Sequence, residues 1–275
     1  MLSFPCAKIN IGLYVVSKRP DGYHNLETVF YPIPLQDVLE TKPLTMSNAP
    51  YALQTVGAPI AGNADDNLVV KVYRDLKAEF NLPALDIYLH KRIPMGAGLG
   101  GGSSDAAYML KTLNADFELQ LSDDEMERRI ARYGADCAFF IREQPSFATG
   151  IGNELTPIDL SLKGFTLVLV KPSTFVSTRE AYAGVVPQRP ACDLREALAQ
   201  PVDTWRHIVS NDFERSVFLA HPEIAAIKTT LYDMGAVYAA MSGSGSTVFG
   251  LFRRPVEEAE KVFSDCFVFQ KAFLR

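Results

Sequence analysis

Residues 94–107 read PMGAGLGGGSSDAA. Five of the seven positions from Gly96 to Gly102 are glycine. Glycine loses more backbone freedom on folding than any other residue, so such a run is either an unstructured linker or a place where the backbone itself meets a ligand. The flanks argue against a linker. Upstream, ALDIYLHKRI (84–93) alternates as a strand that Pro94 ends. Downstream, Ser103 or Ser104 caps a helix whose Ala106, Leu110 and Leu113 form one apolar stripe. Amide groups at a helix N-terminus, with the positive end of the macrodipole, make a phosphate site, and glycine lets the phosphate come close. A bare strand-to-helix turn is the other reading, but two glycines suffice for that.

The type of phosphate loop is narrowed by what surrounds it. No GxxxxGK[ST] occurs, so this is not the common nucleotide-triphosphate loop. Gly96, Gly98 and Gly101 spell GxGxxG, with Glu118 twenty residues after Gly98. A dinucleotide site needs that acid at the end of a second strand. Here Glu118 lies in NADFELQLSDDE, a polar loop between two predicted helices, and the dinucleotide reading loses on context.

Further out, Ala7–Val15 alternates as a strand, with Lys8, Asn10 and Gly12 on one face. RPDG (19–22) is a turn. Asp66 is placed to cap a helix from Asn67 to Phe80, and Ser122 with Glu125 reads as a capping box for a helix that Gly134 stops. FTLVLV (165–170), AVYAAM (236–241) and TVFGLF (247–252) are strands, the last two flanking a second glycine-rich turn, SGSGS (242–246). Helices are expected near 193–199, 204–219, 221–234 and 255–263. Strands and helices are mixed without strict alternation, which favours α+β. A loss of periodicity near 150–164 suggests two domains, 1–155 and 156–275.

The 275 residues are 48% apolar and 21% charged, as in a globular protein, with net charge -5. That balance gives no electrostatic reason to bind nucleic acid or an anionic membrane. The four cysteines are scattered and expected to be reduced thiols, and the four histidines show no zinc spacing. The N-terminal stretch has no basic segment before its apolar part, so it is not read as a secretory signal, and the expected location is the cytoplasm.

The whole string PMGAGLGGGSSDAA resembles the PxxxGLGSS-type loop of the GHMP kinases, small-molecule ATP kinases. AKINIGLYVVSKRPDGYHNLETVF (7–30), DDNLVVKVY (65–73), GADCAFF (134–140) and MSGSGSTVFG (241–250) extend the resemblance over the chain. It implies a two-domain α+β fold with a deep cleft between the domains, ATP as co-substrate and Mg2+ entering with it. RPDGYHN resembles those members whose substrate is an alcohol bearing a cytidine diphosphate group, in the non-mevalonate isoprenoid pathway. Homoserine, mevalonate or a sugar is the alternative substrate. A ribosomal-protein-like RNA-binding module is a further alternative, against which the acidic pI speaks. The expected protein is a monomer or weak homodimer.

The resemblance also assigns residues. Pro94, Met95, Gly96, Ala97, Gly98, Leu99, Gly100, Gly101, Gly102, Ser103 and Ser104 would line the triphosphate, with Asn67 near the adenosine. Asp136 is the implied catalytic carboxylate and Lys8 its cationic neighbour; from local sequence alone these are equally a turn cap and a solvent-exposed lysine. Asn10 would orient the substrate hydroxyl. Tyr23 and His24 would form a cytidine platform, otherwise a loop aromatic and a surface histidine, with Tyr182 as a second aromatic and Thr178 lining the pocket. Asp105 is read most simply as a macrodipole partner in the first helical turn, with a magnesium ligand as the alternative. Cys137-Ala138 departs from the Val-Pro usual in the family.

Overall fold

A computed structural model of the chain describes residues 1–45, 49–60 and 62–274. The chain divides into two compact units: Met1–Ala7 with Ile33–Met95 and Gly100–Glu143, and Lys8–Pro32 with Gly96–Leu99 and Gln144–Arg275.

The first unit carries a four-stranded sheet in the order Leu2–Ser3, Val38–Pro43, Leu85–Lys91, Tyr51–Gly57. Its pairs are antiparallel except the last, where Tyr51 stands beside Leu85 and Gly57 beside Lys91 in parallel register. Strand Leu85–Lys91 forms because Leu85, Ile87 and Leu89 recur at period two and bury one face. Helices Leu68–Phe80 and Gly101–Asp116 supply the other side of the core with Val69, Val72, Leu110 and Leu113. The cap of the first helix is Asn67, whose side chain accepts from the Val69 amide; the expected Asp66 lies in a short 3-10 turn before it.

The glycine-loop helix starts earlier than the serines suggested. Gly100, in the left-handed region (φ 71°), turns the chain directly into Gly101, so Ser103 and Ser104 lie inside the first turn. Ser122 does accept the Glu125 amide as expected, but that helix ends at Ile130, short of Gly134.

The second unit holds an antiparallel sheet in the order Tyr238–Met241, Val248–Phe252, Thr166–Lys171, Phe267–Ala272. Val168, Val170, Ala239, Met241 and Val248 pack with Val217, Ile224 and Leu231 into its core. A further sheet runs Cys6–Lys18, His24–Gln36, Ser146–Thr149, Glu154–Pro157. Cys6–Val15 are all buried, so this part of the strand is covered on both faces and Lys8 and Asn10 do not reach water.

The helix expected at 204–219 is two helices, Val202–Ile208 and Phe213–Ala220. Between them the backbone extends to pair Asn211 with Leu13, using the Ser210 carbonyl and the Asp212 amide. Near the C-terminus the helix expected over 255–263 is confined to Ala259–Val262, and the Val256 amide before it donates to the Gln270 side chain.

Candidate active site

In the second unit, Gly96–Leu99 interlocks with the turn Ser242–Ser246. Gly98 has φ +72°, and a Cβ on it would stand 2.0 Å from the Ser242 carbonyl oxygen, so no other residue fits there. The Ser242 hydroxyl donates to the Gly98 carbonyl at 2.9 Å, and the Thr247 amide donates to the Ala97 carbonyl. The Lys8 ammonium reaches the same Gly98 carbonyl at 2.8 Å and donates to Asn10 Oδ1 at 2.6 Å. Asn10 in turn donates through Nδ2 to Thr28 Oγ1 (2.9 Å) and through its amide to Ser242 Oγ (3.2 Å). Lys8 and Asn10 are 4% and 3% exposed, which removes the reading of Lys8 as a solvated lysine. A cation kept from water needs partners that accept its protons, and here two carbonyl oxygens do.

Asn211 holds the second glycine turn from below, donating to the carbonyls of Met241 and Gly243 at 2.8 Å each. Phe175 leans on Gly96, where a Cβ would meet its ring at 2.5 Å. Thr28, Ser242 and Asn211 were not singled out from the sequence. For Thr28 the available signal was a polar residue in register with Leu26 and Phe30 at period two in LETVF.

In the first unit, Asp136 is half-buried in the turn before helix Phe139–Arg142 and accepts a hydrogen bond from the Ser103 hydroxyl at 2.7 Å. The first turn of the glycine-loop helix is thereby tied to the carboxylate the resemblance points to. Beside it, burial pushes the Cys137 thiol up to about 12, so it stays a thiol. Ser104 Oγ is buried with no hydrogen-bond partner.

The first unit also holds a buried cluster that sequence reading missed. The Lys91 ammonium, 2% exposed, is ion-paired to Asp37 and, at 2.6 Å, to Asp105. Asp37 also accepts the Arg92 and Ile93 amides through Oδ1, at 2.5 and 2.8 Å. Asp105 falls in the second turn of its helix and is 3% exposed, so it is a buried ion-pair partner and not a first-turn dipole partner. The signal was present: Lys91 continues the inward alternation of Leu85, Ile87 and Leu89.

Of the expected base platform, His24 and Tyr182 come together, with ring centroids 4.8 Å apart and planes 20° from parallel. Tyr182 also meets Phe213 edge-on. Tyr23 follows the RPDG turn and is 61% exposed. Thr178 opens the helix Thr178–Ala183 that carries Tyr182 one turn later, on the same side of the helix.

Residues 67–144 match the GHMP kinases N terminal domain and residues 194–267 the GHMP kinases C terminal domain. The chain belongs to the GHMP kinases. Among relatives of this GHMP kinase, the 4-diphosphocytidyl-2-C-methyl-D-erythritol kinase of Bacteroides fragilis is 56% identical over 98% of both chains. The protein of the same name from Porphyromonas gingivalis is 46% identical, again over 98% of both. A solved 4-(cytidine 5'-diphospho)-2C-methyl-D-erythritol kinase superposes with a TM-score of 0.80 at 31% identity, covering 98% of each chain. A mevalonate kinase structure at 15% identity and TM-score 0.66, covering 98% of each chain, shares the fold alone. Among the described residues no helix is long and apolar enough to cross a membrane.

Proposed function

We propose that this GHMP kinase transfers the γ-phosphate of ATP to the 2-hydroxyl of 4-diphosphocytidyl-2-C-methyl-D-erythritol, in the cytoplasm. The observation that carries the substrate class is the His24–Tyr182 ring pair, which offers a flat base the π-surface that homoserine, mevalonate or a sugar has no use for. The relatives that match this chain along nearly its whole length bear the corresponding name.

Phosphoryl transfer asks the protein for positioning and charge stabilisation more than for covalent chemistry. The amides and small residues of 94–104 take the triphosphate, with Gly98 locked in place by Ser242. Asn67 serves as helix cap and stands at the adenosine end. Asp136, oriented by Ser103, accepts the proton of the attacking hydroxyl. Lys8 offsets the charge that develops on the alkoxide, and Asn10, fixed by Thr28, orients that hydroxyl. Tyr23, His24, Tyr182 and Thr178 hold the cytidine end. Mg2+ entering with the nucleotide would supply positive charge to offset that of the transferred group.

An ADP-release assay over the diphosphocytidyl alcohol, homoserine, mevalonate and galactose tests the reading. Turnover with the first alone is expected. Preference for any of the others overturns the substrate assignment.

A further inference from the structure

The buried cluster of Lys91, Asp37 and Asp105 does no step of the reaction, yet it joins the strand that enters the glycine loop to the helix that leaves it. Asp37 grips that strand's end by three groups: the Lys91 ammonium and the amides of Arg92 and Ile93, the two residues before Pro94. Asp105 grips the helix side of the loop through the same ammonium.

The charge count of this cluster is odd for an anion-binding loop. One ammonium faces two carboxylates, and these three are the buried Asp, Glu, Lys and Arg side chains of the described residues of the first unit. The ionisable groups on elements packed against helix Gly101–Asp116 are at least partly exposed: Arg74 pairs with Asp65, Lys71 with Asp66, Asp75 with Arg132, Arg129 with Glu79 and Glu125, Arg142 with Glu127, Lys111 with Glu143 and Lys42 with Glu40, while Lys77 donates to the Leu82 carbonyl. No outside counter-charge therefore balances the second carboxylate. A buried carboxylate without compensation takes a proton instead of staying ionised.

The two acids differ in their partners. Asp37 receives two amides and the ammonium. Asp105 receives only the ammonium, and its Oδ1 is buried with no partner. Burial pushes Asp105 up to about 7, the Lys91 charge opposes this, and the neighbouring Asp37 carboxylate adds to the rise.

We propose that Lys91, Asp37 and Asp105 are the positioning residues of the glycine loop, and that loading the loop with nucleotide draws a proton from solvent onto Asp105. The triphosphate adds negative charge close to a cluster that is itself anionic when Asp105 is ionised. Binding then favours the neutral acid, and by linkage nucleotide affinity falls as pH rises through the titration of Asp105. The inference rests on the reading that residues 94–104 bind the triphosphate.

The test is calorimetric titration of the full chain with a non-hydrolysable ATP analogue at pH 8, where the nucleotide's own phosphate proton is gone. Buffers of different ionisation enthalpy report the protons exchanged. The protein is expected to take up a substantial fraction of one proton per nucleotide, on the order of half, and Asp105→Asn close to none. In parallel, the KM for ATP should rise several-fold from pH 6.5 to 8.5 in the unmodified protein relative to Asp105→Asn, while the KM for the alcohol keeps the same profile in both. A merely structural cluster would change thermal stability and leave proton count and KM profiles alone. Equal proton uptake in the two proteins overturns the proposal. So does zero uptake by the unmodified protein, which needs no variant to fold. Absence of any nucleotide binding overturns the kinase reading as well, whereas binding without proton uptake overturns this inference alone.

Discussion

Tyr182→Ala removes one half of the His24–Tyr182 stack, and its effect can be sized from the ring geometry. At 4.8 Å between centroids the two rings touch each other, with no room for a third. A base held between them needs planes about 7 Å apart, twice the van der Waals contact of about 3.5 Å. Substrate binding must therefore part the pair, giving up about 0.5–1.5 kcal/mol of ring–ring attraction. Stacking of the base on an aromatic face returns about 1–3 kcal/mol. The net loss expected for Tyr182→Ala is thus about 0.5–2 kcal/mol, a rise of about 2- to 30-fold in the KM for the cytidine-bearing alcohol. The KM for ATP should stay within a factor of about two. Steady-state kinetics with each substrate varied in turn measures both. Because the two rings share one partner, His24→Ala and the double variant should be non-additive. An unchanged alcohol KM, or equal rises for both substrates, would refute the platform and with it the substrate class.

Asp136→Asn keeps an acceptor for the Ser103 hydroxyl but cannot take a proton, so kcat should fall by about 10²–10⁴ with ATP affinity nearly intact; full activity in a turnover assay would remove Asp136 as the base. Gly98→Ala puts a methyl 2.0 Å from the Ser242 carbonyl at φ +72°, and thermal unfolding should show a loss of at least about 3 kcal/mol. Gly102→Ala, in a helical position with nothing within 4 Å of the new methyl, should leave Tm unchanged or slightly raised, and equal losses at the two sites would contradict the interlock. Asp105 also makes stability pH-dependent. Its folded-state pKa of about 7 lies above the ordinary 3.8, so the native protein binds the extra proton between those values and loses stability as pH rises through that window. Asp105→Asn should flatten this dependence, by roughly 3 kcal/mol at most, in denaturant titrations at pH 5 and 8; parallel curves would show that Asp105 is ionised throughout.

The glycine loop, the second glycine turn and most strands were legible because each depends on local patterns: alternation, a proline stop, a run of glycine. The resemblance supplied Lys8, Asn10 and Asp136, whose local surroundings were equally consistent with surface roles. What stayed hidden was set by contacts distant in sequence. Asp37 and Lys91 are 54 residues apart, and nothing near either one announces the other. The break at 209–212 arises because Leu13 offers a pairing partner that overrides helix propensity. The helix start at Gly101 was misplaced for a different reason. Serines are strong caps, but Gly100 in the left-handed region makes the turn on its own and leaves Ser103 to reach Asp136.

The Gly98 carbonyl has one more consequence. A trans peptide is planar, so the Leu99 N–H points opposite to the Gly98 C=O. With that oxygen held by both Lys8 and Ser242, the amide hydrogen is aimed away from them and cannot swing round while both donors stay in place. The two side chains act as a latch against a peptide flip, which would present an oxygen where a hydrogen now stands. Replacing Lys8 thus removes a charge and half of that latch at once, and a slow Lys8 variant would report on the orientation of a single peptide as much as on the stabilisation of an alkoxide.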